Sequence, residues 1–163
     1  MKSEPPQDLG IAQALGKIPS GLFILTASHE ERRAGMLISW VQQVGFSPPM
    51  VSLAVAKGKP ILPLMSESKK FGLCQMAEGE KIILRKFATH SEINEDPFLG
   101  FEMQEKTKLH VPILKNVLAY MECEITCHID VNSDHDIFVG HILHAKLNPG
   151  EPCVHLRTNG FKY

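Results

Sequence analysis

The sequence predicts a mainly β fold, an antiparallel barrel, closed or partly closed, with a few short helices. The first observation is a long alternation. Val117, Ala119, Met121, Cys123, Ile125, Cys127 and Ile129 alternate with Leu118, Tyr120, Glu122, Glu124, Thr126, His128 and Asp130. A period of two sustained this far beyond the mean strand of about 5–6 residues implies a long strand that curves, as barrel strands do. The second is its return. Asn132-Ser133-Asp134-His135-Asp136 supplies turn residues, and Ile137 to Lys146 reads as a second long strand ending at Asn148-Pro149-Gly150. The third is what the chain lacks. No G-x-G-x-x-G opens a helix after a strand, and neither a P-loop nor a G-x-S-x-G elbow is present. Many strands and few helices suit a barrel.

The remaining elements follow in chain order. Residues 1–8 read as a flexible tail. Leu9, Ala12 and Leu15 share a helical face and predict a short helix, interrupted by Gly16 and Pro19. Leu22 to Ala27 predicts a strand, and Ser28 to Arg33 a polar hairpin loop. From Ala34 the chain reads as two apolar strands joined through a Ser47-Pro48-Pro49 corner, because prolines cannot donate to a ladder. Met50 to Ala56 is apolar enough to be buried on both faces. Pro60 to Ser66 predicts a short helix, Phe71 to Met76 a strand, and Glu80 to Ala88 a helix with Ile83, Leu84 and Phe87 on one side. Residues 89–112 mix polar residues with Pro97, Phe98, Phe101 and Pro112 and predict an irregular excursion, a length of loop that often serves as a lid or partner surface.

The 163 residues fit one domain over 1–163, and 44% hydrophobic with 21% charged residues supports a sizeable core. A net charge of −1 gives no basic surface for nucleic acid. No apolar run approaches the roughly 20 residues that span a bilayer, and Met1 to Asp8 lacks the apolar core of a signal peptide, so a cytoplasmic location is expected. Cys74, Cys123, Cys127 and Cys153 form no C-x-x-C pair and are expected as buried, reduced thiols. His128, Asp130, His135, Asp136, His141 and His144 crowd one hairpin. His141 and His144 are three apart and point to opposite faces of a strand, so no metal site is expected.

Chemistry concentrates between Ala34 and Lys59. An apolar wall, a polar patch of Ser39, Gln42 and Gln43, and a Lys57-Gly58-Lys59 loop suit a flat aromatic ligand with a phosphate tail, the shape of flavin mononucleotide (FMN). Gln43 offers an amide to phosphate or ribityl oxygens. A flavin performs hydride and single-electron chemistry itself, so the protein needs no nucleophile or acid/base pair of its own.

Gly35-Met36-Leu37-Ile38-Ser39-Trp40-Val41, Phe46-Ser47-Pro48-Pro49, Ala54-Val55-Ala56-Lys57, Asp134-His135-Asp136-Ile137-Phe138-Val139-Gly140 and His155 to Tyr163 occur in this order. Together they resemble the flavin reductase-like domain family, the FMN-binding split barrel. The members most resembled are the flavoredoxins and the flavin reductase domain of diflavin flavoproteins. The resemblance implies a Greek-key antiparallel barrel and an FMN cofactor. It places Leu37, Ile38, Ser39 and Trp40 along the flavin, with Ala54, Val55, Ala56 and Lys57 on a second lining strand and Lys57 at the phosphate. His135 stands where the family has a histidine on the nicotinamide side, although Ser133 replaces a glycine of that pattern. His155 with Arg157 is expected to close the same cleft. The resemblance further implies a homodimer that takes electrons from NAD(P)H or a small redox protein and delivers them to a flavin or protein acceptor. Leu118 and Tyr120, apolar on an otherwise polar strand face, are candidates for burial against the second copy. A non-catalytic module holding FMN or haem on the same barrel is the alternative.

Overall fold

The computed structural model describes residues 8–89 and 95–162. Its strands are β1 (Ser20–Gly21), β2 (Phe23–His29), β3 (Arg32–Ile38), β4 (Val41–Phe46), β5 (Pro49–Ala56), β6 (Lys70–Gln75), β7 (Ala119–Asp130), β8 (His135–Leu147) and β9 (Val154–His155). Its helices are α1 (Leu9–Gly16), α2 (Ile61–Ser68) and α3 (Lys81–Ala88). Seven strands pair antiparallel in the order β3-β2-β6-β7-β8-β5-β4. The end strands β3 and β4 are joined by Ser39 and Trp40 alone, so the sheet curls until its two edges meet at that corner. This is a split barrel, as expected.

The corner divides what the sequence presented as one apolar strand. β4 runs from it to the Ser47–Pro48 peptide, which is cis, and β5 returns from Pro49. β5 is not buried on both faces. Val51, Leu53 and Val55 enter the barrel, while Ser52, Ala54 and Ala56 are half-buried on the other side. The β2–β3 hairpin is also tighter than predicted: Arg32 and Arg33 pair with His29 and Ser28, and Glu30 takes the left-handed turn conformation.

The long hairpin is β7–β8. Asp130 accepts the Asn132 N–H at 2.8 Å, and Asn132 adopts a positive φ, a short-range reason for the turn. Register shifts at Glu122/Cys123 and at Ile125/Cys127 interrupt the alternation and increase the bend, as bulges do. Past the second shift Cys127 is exposed, contrary to its reading as a buried thiol, and Cys153 is half-buried. Cys74 and Cys123 are buried, and burial pushes both thiols up to about 12.

Two cores result. The barrel interior holds Leu25, Leu53, Phe71, Leu73, Cys123 and Phe138, and α2 plugs it with Ile61, Leu64 and Met65. The outer face of β2, β6 and β7 is covered by α3 and the 98–117 segment, through Phe87, Phe98, Ile113 and Leu114 packed on Ile24, Cys74 and Tyr120. The part of the predicted excursion among the described residues is therefore a cover, residues 90–94 of that prediction lying outside them. Thr26 Oγ1 donates to the Pro112 carbonyl, Ser28 Oγ donates to that of His110 at 3.1 Å, and wholly buried Glu122 accepts the Leu109 N–H at 2.6 Å. Gly72 permits the close approach, since a Cβ there would lie 2.3 Å from Thr26 Oγ1. Burial within this chain, under the cover for Tyr120, also corrects the reading of Leu118 and Tyr120. Both are buried within this chain and leave nothing for a second copy.

Among the described residues no helix is long and apolar enough to cross a membrane.

Candidate functional site

A cleft of about 880 Å³ opens beside the β3–β4 corner. Its walls are β3, Ser39 and Trp40, the end of β5, the loop into α2, the end of α3, and His155. The volume lies within the roughly 300–1,000 Å³ of small-molecule sites.

Of the residues singled out from sequence, Leu37, Ile38, Ser39, Trp40, Ala54, Ala56, Lys57 and His155 border this cleft. β3 and β5 are far apart in the sheet order, and the curl of the barrel brings their ends together. Ala54 and Ala56 project no bulk, so a flat group has room against the strand. Ser39 is 5% exposed, and its Oγ has no hydrogen-bond partner among the described residues. A buried hydroxyl left unsatisfied costs free energy, and one on a cleft wall marks where a ligand atom would complete it.

Three expected residues stand elsewhere. Gln43 lies on edge strand β4, away from the cleft, where its Nε2 donates to the Gly45 carbonyl at 3.2 Å. Val55 is wholly buried in the barrel because its neighbours Ala54 and Ala56 take the cleft side. His135 is not an exposed turn residue. It opens β8, 9% exposed, with its ring centroid 4.6 Å from that of Trp40 and Nδ1 2.8 Å from Asp134 Oδ1. The His135 hydrogen bond, followed by that from Ser133, holds the Asp134 carboxyl below its ordinary value.

The cations near the cleft differ. Lys57 Nζ lies 2.8 Å from Asp130 Oδ1 and 3.6 Å from Asp136 Oδ1. The bond to Asp130 is the largest cause of its raised pKa, and it also lowers that of Asp130. Asp136 in turn lies 3.1 Å from Nε2 of His128, whose ring stacks on Phe138. The Lys57 N–H donates to the Asp134 carbonyl at 2.9 Å. Lys57 thus ties the end of β5 to the turn that carries His135. Arg33 is held by Asp96 in a two-pronged pair and lies over the Phe98 ring; that pair lowers the Asp96 pKa. Lys59 also lines the cleft, and none of the described residues pairs with its ammonium. Pro60, the N-cap of α2, follows it, and Pro60 and Ile61 border the same space. A helix start carries partial positive charge and suits an anion.

Arg33, Phe87, Thr89 and Pro97 border the cleft without having been singled out as site residues. Phe87 was visible only as part of the apolar face of a helix. The cover that carries Pro97 had no periodicity to read. The histidines of the long hairpin are dispersed, His144 lying beside Tyr120 and His128 beside Asp136, and no three potential metal ligands converge among the described residues.

Comparison with known proteins agrees with this architecture. Residues 15–162 match the model of the flavin reductase like domain. The chain is 35% identical over 159 residues to diflavin flavoprotein A 1 of Synechocystis sp., which covers 96% of this chain and 27% of that protein. It is 34% identical over 154 residues to a putative diflavin flavoprotein A 3 of Nostoc sp., covering 93% of this chain and 26% of that protein. The chain thus spans about a quarter of the length of these curated relatives. Among solved structures, the NADH:FAD oxidoreductase SgcE6 of Streptomyces globisporus superposes with a TM-score of 0.85 at 22% identity, covering 95% of this chain and 92% of that one. The styrene monooxygenase flavin reductase of Pseudomonas putida superposes with a TM-score of 0.77 at 21% identity, covering 90% and 91%. By its sequence match across nearly its whole length, with a split barrel in agreement, this chain belongs to the flavin reductase-like domain family.

Proposed function

We propose that this chain is an FMN-dependent oxidoreductase that takes electrons from NAD(P)H or a small redox protein and passes them to a flavin or protein acceptor. The observation that carries the reading is the buried Ser39 hydroxyl without a protein partner on a cleft wall of small and apolar residues. Family membership makes a flavin the group to test against that wall, and the residues fit it. The backbone at Leu37–Ser39 and the small surface of Ala54 and Ala56 would receive the ring, with Ser39 Oγ bonding one of its polar atoms. The ring, when bound, supplies the hydride and single-electron chemistry. Lys59 and the start of α2 would take the single terminal phosphate that distinguishes FMN from riboflavin. Lys57 would add positive potential, moderated by Asp130 and Asp136. Trp40 and His155 would limit water at the opposite end. In this reading His135, paired with Trp40, would act through the tryptophan and would meet the donor.

The functional unit is a homodimer in this reading. β4 is an edge strand that pairs only with β5 among the described residues, and its Phe46 is 92% exposed with Val44 half-exposed beside it. Such side chains favour burial against another surface. Sedimentation at micromolar concentration tests this, and a monomer that still binds FMN would overturn it.

Titrating the protein with FMN, FAD and riboflavin, followed by anaerobic mixing with NADH and NADPH, tests the main proposal. FMN binding with donor-driven bleaching of the flavin band supports it. Tight FMN binding with no reduction by any donor supports the carrier module instead. No binding of any flavin overturns both.

A further inference from the structure

We infer that Arg157 is a positioning residue of the cleft, acting on the bound ligand through Trp40. Its bearing on flavin rests on the function proposed above; its bearing on Trp40 does not.

Trp40 occupies the corner where β3 passes into β4 and is 36% exposed on the cleft wall. A large ring at a chain corner needs neighbours to hold one orientation. His135 supplies one contact. The guanidinium of Arg157, with its carbon 5.4 Å from the Trp40 ring centroid, supplies another, within the range of a cation–π pair.

Arg157 is itself held from a distant part of the chain. Its Nη1 donates to the Gly160 carbonyl at 2.9 Å, and its Nη2 reaches the Leu15 carbonyl at 3.5 Å. Its backbone N–H donates to Gly16 at 3.1 Å, and the Gly160 N–H donates to Ala12 at 2.7 Å. The 157–160 turn therefore lies flat on α1. Gly160 makes that possible, since a Cβ there would fall 2.3 Å from the Leu15 Cβ. The neighbouring β9 pairs with β1 and presents His155 to the cleft. α1 and residues 153–160 thus form a strap whose one planar cation rests on the corner tryptophan. The planar fork suits this double duty, because two carbonyls fix the guanidinium plane while its face remains for the ring. A lysine there would keep charge over the ring without fixing a plane.

Trp40 is the only tryptophan in the chain, so its fluorescence reads this corner alone. The test compares wild type with Arg157→Met, Arg157→Lys and the exposed neighbour Leu156→Ala, each in the ligand-free state and in FMN titration. In Arg157→Met the anisotropy of Trp40 falls and its quenching by acrylamide roughly doubles, as expected for a ring that has lost one restraint. FMN affinity then falls about tenfold, the scale of one partly desolvated cation–π contact. Arg157→Lys gives intermediate values, and Leu156→Ala matches wild type. A strap that served stability alone would lower the unfolding temperature without moving the Trp40 signal of the folded protein. Unchanged Trp40 anisotropy and quenching in folded Arg157→Met would overturn the inference. If that variant does not fold, Arg157→Lys decides by the same two measurements, and wild-type values there overturn it. Absence of FMN binding in wild type defeats the flavin reading alone, and the ligand-free measurements still decide whether Arg157 positions Trp40.

Discussion

Around Trp40 and His135 the polar side chains are tied to protein partners, whereas at Lys59 an ammonium without a partner among the described residues stands near a helix start. Lys57 binds Asp130 and Asp136, His135 binds Asp134, and Arg157 is anchored by two carbonyls. Such groups hold geometry. The charge of Lys57 is largely offset by its two carboxylates, so it adds less net attraction for an anion than an unpaired lysine would. Lys59 is the reverse: its ammonium pairs with none of the described residues. Two lysines two residues apart therefore differ in their partners, and the difference comes from the carboxylates that the β7–β8 hairpin brings to one of them.

Blocking the shared wall gives the largest effect. Ala56→Phe fills the space against β5 and should weaken FMN by roughly 100-fold, the upper end of overpacking costs. Flavin titration with circular dichroism as a fold control measures this. Wild-type affinity would place the ring away from β5.

Substitution of the two lysines tests the comparison directly. Lys59→Ala should weaken FMN by about tenfold or more while leaving riboflavin nearly unchanged, since a charge-assisted hydrogen bond contributes about 1.5–3 kcal/mol. Lys57→Ala should discriminate less between the two ligands and should loosen the His135 turn, read as altered Trp40 emission. The reverse ranking would make Lys57 the phosphate ligand despite its ion pairs.

His135→Ala removes one ring from Trp40. Aromatic pairs contribute about 0.5–1.5 kcal/mol, so FMN affinity should fall roughly two- to tenfold, with Trp40 anisotropy falling in parallel. Anaerobic stopped-flow reduction separates this from a donor role. A slower flavin reduction at saturating FMN would show that His135 also serves the donor.

The smallest effect is on pH dependence. Asp96, Asp130 and Asp134 have lowered folded-state pKa values, caused first by Arg33, Lys57 and His135 respectively. Their stabilisation is complete above the unfolded carboxyl value of about 3.9 and is lost as pH falls through the folded values. Lys57 has the opposite sign: its contribution is present below 10.5 and is lost as pH rises through its raised value. Asp130→Asn should flatten both limbs of the unfolding-temperature profile slightly, the groups being exposed and screened. An unaltered profile would show that the pair contributes nothing measurable.

Period-two alternation, the Pro48-Pro49 corner and the turn residues Asn132 to Asp136 are local, and each was readable because the backbone chemistry that enforces it lies within a few residues. The same holds for the Gly35–Val41 and Ala54–Lys57 motifs, which located two cleft walls and the family. The sequence by itself therefore determined most of the long strands, the barrel class and part of the lining, without separating β3 from β4 or showing β1 and β9. Burial by distant chain segments was not readable. The cover over β2, β6 and β7 converts Tyr120 and Glu122 from an apparent solvent face into a core, and no periodicity in residues 98–117 announced it. Only the tertiary structure decided that Lys57 is matched by Asp130 and Asp136, that Val55 turns inward while Ala54 and Ala56 face the cleft, and that Arg157 lies on Trp40. Each depends on side chains brought together across more than seventy residues or on which face of a curved strand is covered. Those are properties of the closed barrel, and a one-dimensional pattern carries no term for them.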